Sequence, residues 1–194
     1  VGLFGDGRLT ALSSYENRVY QASLEDVDAD AGAGTGLAAG DKVVLKFYRP
    51  GRWSEAQIIE DHQLAHELVA AEVPAVAPLP IGGQTLHRHG DFLFSVSPRR
   101  GGRRPELDDL DVLEWIGRFL GRLHTVGAQH AFVHRPALDI AQFGFEPRDW
   151  LLRHHIIPVE SERLWRDTLD RALDAVAEAF ERSSGVATLR LHGD

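Results

Sequence analysis

The stretch from Lys42 to Ala71 restricts the fold more than any other part of the chain. Lys42-Val43-Val44-Leu45-Lys46-Phe47-Tyr48 is dense in β-branched and aromatic residues and is closed by Arg49-Pro50-Gly51, so it reads as a strand ended by a tight turn. Lys46 lies inside the apolar run. An unpaired buried ammonium is costly, so Lys46 either meets a carboxylate or sits on an edge strand and points to water. Ser54-Glu55-Ala56-Gln57 follows with a capping-box pattern, Ser at the N-cap and Gln three residues on. Ile58, Ile59, Leu64, Ala65, Leu68 and Val69 supply apolar positions for a helix over 54–71. Glu60 and Glu67 fall two turns apart on one side of it, with Asp61 beside Glu60, so a lysine strand is followed by a helix that carries carboxylates able to answer it. His62 and His66 are also spaced i, i+4, but His62-Gln63 lacks the glutamate of a zinc-hydrolase helix and no third ligand is evident, so no metal site is assigned.

The segments on either side extend the same unit. Leu9 to Leu24 reads as two strands about a polar bend at Ser13 and Ser14. Such a bend either brings backbone N–H groups toward a phosphate or is an ordinary hairpin. Asp28 to Gly40 is Ala-, Gly- and Asp-rich without periodicity, and is expected to be a flexible insertion with nothing to bury. No Gly-Lys-Ser/Thr follows it, which argues against a P-loop. Pro74, Pro78 and Pro80 keep residues 73–80 extended. Two strands, 84–87 and 92–97, flank a turn at His89-Gly90-Asp91, the second ending at Pro98. Four to five antiparallel strands and one helix are thus expected in residues 1–98.

Arg99 to Pro105 reads as a solvated connection whose arginines are balanced by Glu106, Asp108, Asp109 and Asp111. Helices are expected over 109–126, stopped by Gly127, over a short run after Pro147 to His155, and over 161–182, with 129–146 irregular. Gly117 and Gly121, four apart, would permit close helix packing. The chain ends Leu189-Arg190-Leu191-His192-Gly193-Asp194, which reads as a short buried strand that delivers a carboxylate to a loop. The fold class is therefore α+β, with a small antiparallel-sheet lobe at 1–98 and a partial helical lobe at 99–194.

Composition narrows the function classes. A net charge of -8 argues against broad, sequence-independent nucleic-acid binding. No apolar run approaches the ~20 residues that span a bilayer, and no signal peptide opens the chain. The absence of cysteine excludes disulfides and thiolate metal sites and fits a cytoplasmic protein. There is no methionine, even at position 1, so the chain is expected to start inside a longer one and to stop short of its end.

Taken in order, the phosphate-side hairpin, strand lysine, carboxylate helix, strand pair, helices and terminal His-Gly-Asp resemble the stress response kinase A family. Those are RdoA-type bacterial serine/threonine protein kinases with an aminoglycoside-phosphotransferase-like, choline-kinase-like fold. The resembling stretches are Ser14–Gln21, Val44–Pro50, Gly82–Leu86, Gly101–Arg103, Gly117–His124 and Leu189–Asp194. The resemblance implies a protein-kinase-like two-lobe fold, ATP and Mg²⁺ as cofactors, and a protein or small-molecule hydroxyl as acceptor, without nucleic acid or membrane. It implies that Ser14 lies at the turn covering the nucleotide, with Asn17 supporting it. Lys46 would contact the ATP phosphates, with Glu60 as its first-choice helix partner and Asp61 and Glu67 left open. Backbone groups near Val96 and Ser97 would meet the adenine. Asp194 matches the catalytic base, which takes the proton of the attacking hydroxyl. The family's catalytic loop continues to an Asn and then a metal-binding Asp, so the metal ligands are expected beyond residue 194. Three functions are weighed: a serine/threonine protein kinase, a small-molecule kinase for an amino alcohol or aminoglycoside, and a non-catalytic fragment.

Overall fold

The computed structural model describes residues 1–191; His192, Gly193 and Asp194 lie outside the described residues. Strands β1 (Leu3–Leu12) and β2 (Arg18–Val27) form a hairpin, helix α1 (Ala29–Thr35) follows, and β3 (Lys42–Tyr48) runs into helix α2 (Glu55–Ala70). Strands β4 (His87–His89) and β5 (Phe92–Pro98) complete an antiparallel sheet in the order β1-β2-β3-β5-β4. The apolar strand at 42–48 is thus a central one, flanked by β2 and β5.

Alternation along the strands sorts the two faces. Val43 and Leu45 join Ala22, Leu24, Phe94 and Val96 in one core cluster, closed by Ala31, Leu37, Leu79 and Ile81. Lys46 and its cross-strand partner Ser95 belong to the other face, together with Tyr48. There α2 packs, its start fixed by the expected capping box: Ser54 Oγ accepts the Gln57 N–H at 3.3 Å and Gln57 Oε1 accepts the Ser54 N–H at 2.9 Å. The far side of α2 feeds a second core, in which Leu64 and Leu68 meet Val73 and Val126. Val126 belongs to α3 (Leu110–Gly127), whose N-cap Asp109 accepts the N–H groups of Asp111 and Val112.

Two local expectations are corrected. Residues 28–40 are not a flexible insertion without burial. They hold α1, which places Ala31 in the sheet core and ends at Gly36 in the left-handed conformation, φ 70°. One buried alanine in a seven-residue helix leaves no periodic signal, yet it is enough to seat the helix on the sheet. Residues 189–191 are not a buried strand either. Arg190 is 5% exposed while Leu189 and Leu191 are 36% and 53% exposed, the inverse of the expected alternation. The guanidinium is drawn inward by fixed hydrogen-bond acceptors, which outweighs burial of two leucine side chains at this point.

The chain divides into two compact units, one comprising residues 1–134 with the chain end from Leu189, the other residues 135–188. This division groups α3 with the sheet, and the boundary expected from the sequence lies at 98/99. In the second unit a π-helical turn (Ala141–Phe145) leads into α4 (Glu146–Arg153), followed by α5 (Val159–Arg182). Leu173 is its buried residue among those described, packed so close to Gly144 that a side chain there would collide with it. Among the described residues no helix is long and apolar enough to cross a membrane.

Candidate functional site

The turn between β1 and β2 is tied down by short side chains. Ser14 Oγ accepts the Asn17 N–H at 3.3 Å, and Asn17 Oδ1 in turn accepts the Arg49 N–H at 3.3 Å, so the turn is fastened to the end of β3. Glu16 adds a second fastening: it accepts the indole N–H of Trp53 at 2.9 Å and pairs with Arg52 at 2.9 Å. Tyr15, between the two anchors, is fully exposed. Ser14 and Asn17 were named through the family resemblance, but Glu16 was not singled out. Its only signal was an acid facing Arg52-Trp53 across a gap that no local pattern reveals.

Lys46 is half-buried on the α2 side of the sheet, its Nζ 5.3 Å from the centroid of the Tyr48 ring. Tyr48 is held from behind. Its hydroxyl lies 2.7 Å from His62 Nε2 and 3.2 Å from Ser95 Oγ, and His62 Nδ1 lies 2.8 Å from Thr85 Oγ1. Both ring nitrogens of His62 are therefore engaged in hydrogen bonds. Burial, reinforced by the positive charge of Lys46, pushes His62 down to about 4. The imidazole stays neutral, one nitrogen donating and the other accepting, and so spares Lys46 a second cation close by.

Glu60 and Glu67 are directed elsewhere. Among the described residues Lys46 makes no ion pair. The two oxygens of Glu60 accept the N–H groups of Val133 at 2.6 Å and His134 at 2.9 Å, and Gln57 donates to the His134 carbonyl at 3.0 Å. Glu67 pairs with Arg190 at 2.5 Å, and that hydrogen bond holds its carboxyl below the ordinary glutamate range. The structure brings Lys46 and α2 to the same face of the sheet but joins neither Glu60 nor Glu67 to the lysine.

At the end of β5, Val96 is fully buried in the sheet core and its carbonyl accepts the Leu79 N–H at 2.7 Å. Ser97 pairs with Val44 in the β3–β5 ladder and is half-buried, and just beyond it the Arg99 N–H reaches the Lys42 carbonyl at 3.0 Å. Asp194 lies outside the described residues. Among the described residues no group of three or more histidines and acids could hold a metal ion.

A turn anchored over a β strand and a half-buried lysine on the helix-covered face of that strand make a place where an anion could be met by a cation with its N–H donors in hand. Comparison with known proteins agrees with that architecture. The model of a phosphotransferase enzyme family matches residues 8–194. The chain belongs to that family. Over 193 residues it is 43% identical to the serine/threonine protein kinase RdoA of Salmonella typhimurium and 40% identical to stress response kinase A of Escherichia coli K12. Each match takes in 100% of this chain and 54% of the relative, so the chain spans about half the length of the curated relatives it matches. Among solved structures it is similar to an amicoumacin kinase in complex with AMP-PNP, Ca²⁺ and Ami. That likeness has a TM-score of 0.64 at 18% identity and covers 98% of this chain and 52% of the other. The kinase-like α+β fold expected from the sequence is thus the fold of this phosphotransferase-family chain.

Proposed function

We propose that the protein carrying this chain is an ATP-dependent kinase of the stress response kinase A type, acting on serine or threonine hydroxyls of protein. The observation that carries the reading is Lys46: a half-buried cation on the α2 face of the sheet, supported by a pinned aromatic ring and without an ion pair among the described residues. An ammonium so placed keeps its three donors for an anionic ligand. Residues 1–98 serve as the nucleotide lobe and 99–194 as part of the helical lobe. Ser14, with Asn17 bracing the turn, covers the phosphates, and Lys46 binds them. Glu60 supports this arrangement through the 133–134 backbone that it holds. The adenine meets the end of β5 at Val96 and Ser97, where Ser97 and the backbone after it are the more accessible part.

In the reaction the acceptor oxygen forms a bond to the γ-phosphorus, the bond from that phosphorus to the ADP oxygen breaks, and the acceptor proton passes to the Asp194 carboxylate. Mg²⁺, when bound, neutralises charge on the phosphates. The described residues offer no cluster to hold it, and its ligands belong to the expected continuation of the loop after Asp194. A cytoplasmic location suits a cysteine-free chain that uses ATP.

The second reading is a small-molecule kinase, favoured by the fold likeness to an enzyme whose structure holds a small ligand beside AMP-PNP. Both are tested on the chain completed to the length of its curated relatives, incubated with labelled ATP, Mg²⁺ and either casein-like proteins or candidate amines. Label on protein supports the first reading, and label on an amine replaces it with the second. Asp194→Asn is expected to lower kcat at least ~10²-fold while ATP binding persists. Retention of most of the wild-type kcat would remove Asp194 from the chemistry. The 194-residue chain by itself is expected to consume no ATP above background, and turnover comparable to that of the completed protein would overturn the placement of the metal ligands.

A further inference from the structure

Arg190 is the most buried charged side chain among the described residues, and it stands four positions before Asp194. Its guanidinium donates to Glu67 Oε2 at 2.5 Å, to the Val126 carbonyl at 3.2 Å and to the Gly127 carbonyl at 3.4 Å. Its backbone N–H donates to the same Gly127 carbonyl at 3.2 Å, and its guanidinium carbon lies 5.7 Å from the Phe132 ring centroid. Gly127 is needed for this approach, since a Cβ there would overlap the Arg190 carbonyl oxygen. One side chain thereby links α2, the end of α3 and the segment that runs into His192-Gly193-Asp194.

We propose that Arg190, held by Glu67, is a positioning residue for Asp194, and that α2 uses the Glu67 carboxylate to fix the catalytic base rather than the strand lysine. The inference rests on the kinase reading above. Three considerations carry it. A planar guanidinium with several fixed acceptors defines the direction of its backbone, whereas a leucine buried at the same place would slide. Two of the acceptors, the Val126 and Gly127 carbonyls, lie at the C-terminal end of α3, where the dipole favours a cation, and the Val126 carbonyl accepts the guanidinium in addition to the Gln129 N–H. Burial of the arginine leaves Leu189 and Leu191 exposed, so the segment gives up apolar contact in favour of one fixed polar junction. A general base must hold its carboxylate within hydrogen-bond reach of the acceptor hydroxyl, and small displacements there are costly in rate.

The test uses the completed protein with Arg190→Lys, Glu67→Ala, Glu67→Gln and the Glu67→Ala/Arg190→Lys double variant, with Asp194→Asn as reference. Folded fraction is measured for each, so that kcat is expressed per folded molecule. Arg190→Lys and Glu67→Ala are expected to lower kcat roughly 10- to 100-fold, with the KM for ATP changed less than about twofold, because the nucleotide is held on the sheet side. Glu67→Gln keeps an oxygen that can accept from the guanidinium and should recover most of the loss. The double variant should be no worse than the poorer single one, as for two members of one junction. Glu67 is half-exposed, so its variants remain informative if Arg190→Lys does not fold. If Asp194→Asn is inactive while both Arg190→Lys and Glu67→Ala keep wild-type kcat per folded molecule, the junction is merely structural and this inference falls alone. If Asp194→Asn is active, the base assignment and the positioning role fall together.

Discussion

The sheet-bearing unit and the helical unit use their polar side chains in different ways. In residues 1–134 with the chain end, polar groups reach far along the sequence: Glu67 to Arg190, Glu60 to Val133 and His134, Asn17 to Arg49, Tyr48 to His62 and Ser95. In residues 135–188 they stay mostly local. Arg163 with Asp167, Arg166 with Glu162 and Arg182 with Glu178 are all i, i+4 pairs on one helix, while Arg148 with Asp170 reaches farther. Long-range polar contacts hold one element at a fixed place against another. Pairs within a turn of helix stabilise only the helix that carries them. The difference teaches where this chain has invested in position, and it coincides with the residues proposed to meet the nucleotide and the base.

The contrast can be broken or sharpened by experiment, beginning with the largest expected effect. Leu64 of α2 is fully buried, in the core that seats the helix carrying Glu60 and Glu67. Leu64→Ala should cost about 2–5 kcal/mol, read as a lower midpoint in urea unfolding. A cost near that of a surface substitution would mean that α2 is not the support of this unit.

Acid comes next. His62 is 3% exposed and titrates at about 4 in the folded protein, against the ordinary value of 6.5. The unfolded chain therefore binds the proton first as the pH falls. The stability due to neutral His62 is complete above pH 6.5, falls as the pH drops from 6.5 toward 4, and is constant below that. The loss amounts to about 3 kcal/mol. His87, which burial also holds below its ordinary value, adds a slope of the same sign. Unfolding midpoints at pH 7 and pH 4.5 should therefore converge in His62→Leu relative to wild type. Parallel curves for the two proteins would remove His62 as the source.

Gly127→Ala should cost about 1–3 kcal/mol, because its new Cβ must displace the backbone of Arg190. Thermal unfolding measures it, and a neutral result would show that the junction yields easily. The smallest effect is expected in the helical unit. Arg166→Ala breaks an exposed i, i+4 pair with Glu162 and should cost no more than about 0.5 kcal/mol, screened further by salt. A larger loss would erase the distinction between the two units.

Much of the sheet unit was legible in the chain. Lys42–Tyr48 is apolar with a Pro-Gly stop, Ser54 and Gln57 announce the start of a helix, and three prolines deny a helix to 73–80. Those are local signals, set by backbone propensity and by hydrogen bonds between near neighbours, and they appear in the structure at the expected places. Helix α1 escaped because one buried alanine has no period. Glu16 escaped because its partners Arg52 and Trp53 lie far along the chain, and the assignment of Glu60 and Glu67 to partners other than Lys46 escaped because spacing along a helix tells which face a carboxylate is on but not what stands opposite it.

The sequence by itself determined the order of the strands and long helices, the strand that carries Lys46 and the family that such an order most resembles, since these rest on patterns read along the chain; that this strand is a central one came from the sheet order. Tertiary structure alone decided which charges meet. A carboxylate is satisfied by whatever donor the fold brings within about 3 Å. For Glu60 the donors are two backbone N–H groups 73 and 74 positions away, and for Glu67 the donor is a guanidinium 123 positions away. The inverted burial of Leu189-Arg190-Leu191 has the same origin. Alternation predicts two buried leucines, but the Val126 and Gly127 carbonyls at the end of α3 and the Glu67 carboxylate make the arginine the better fit for the interior.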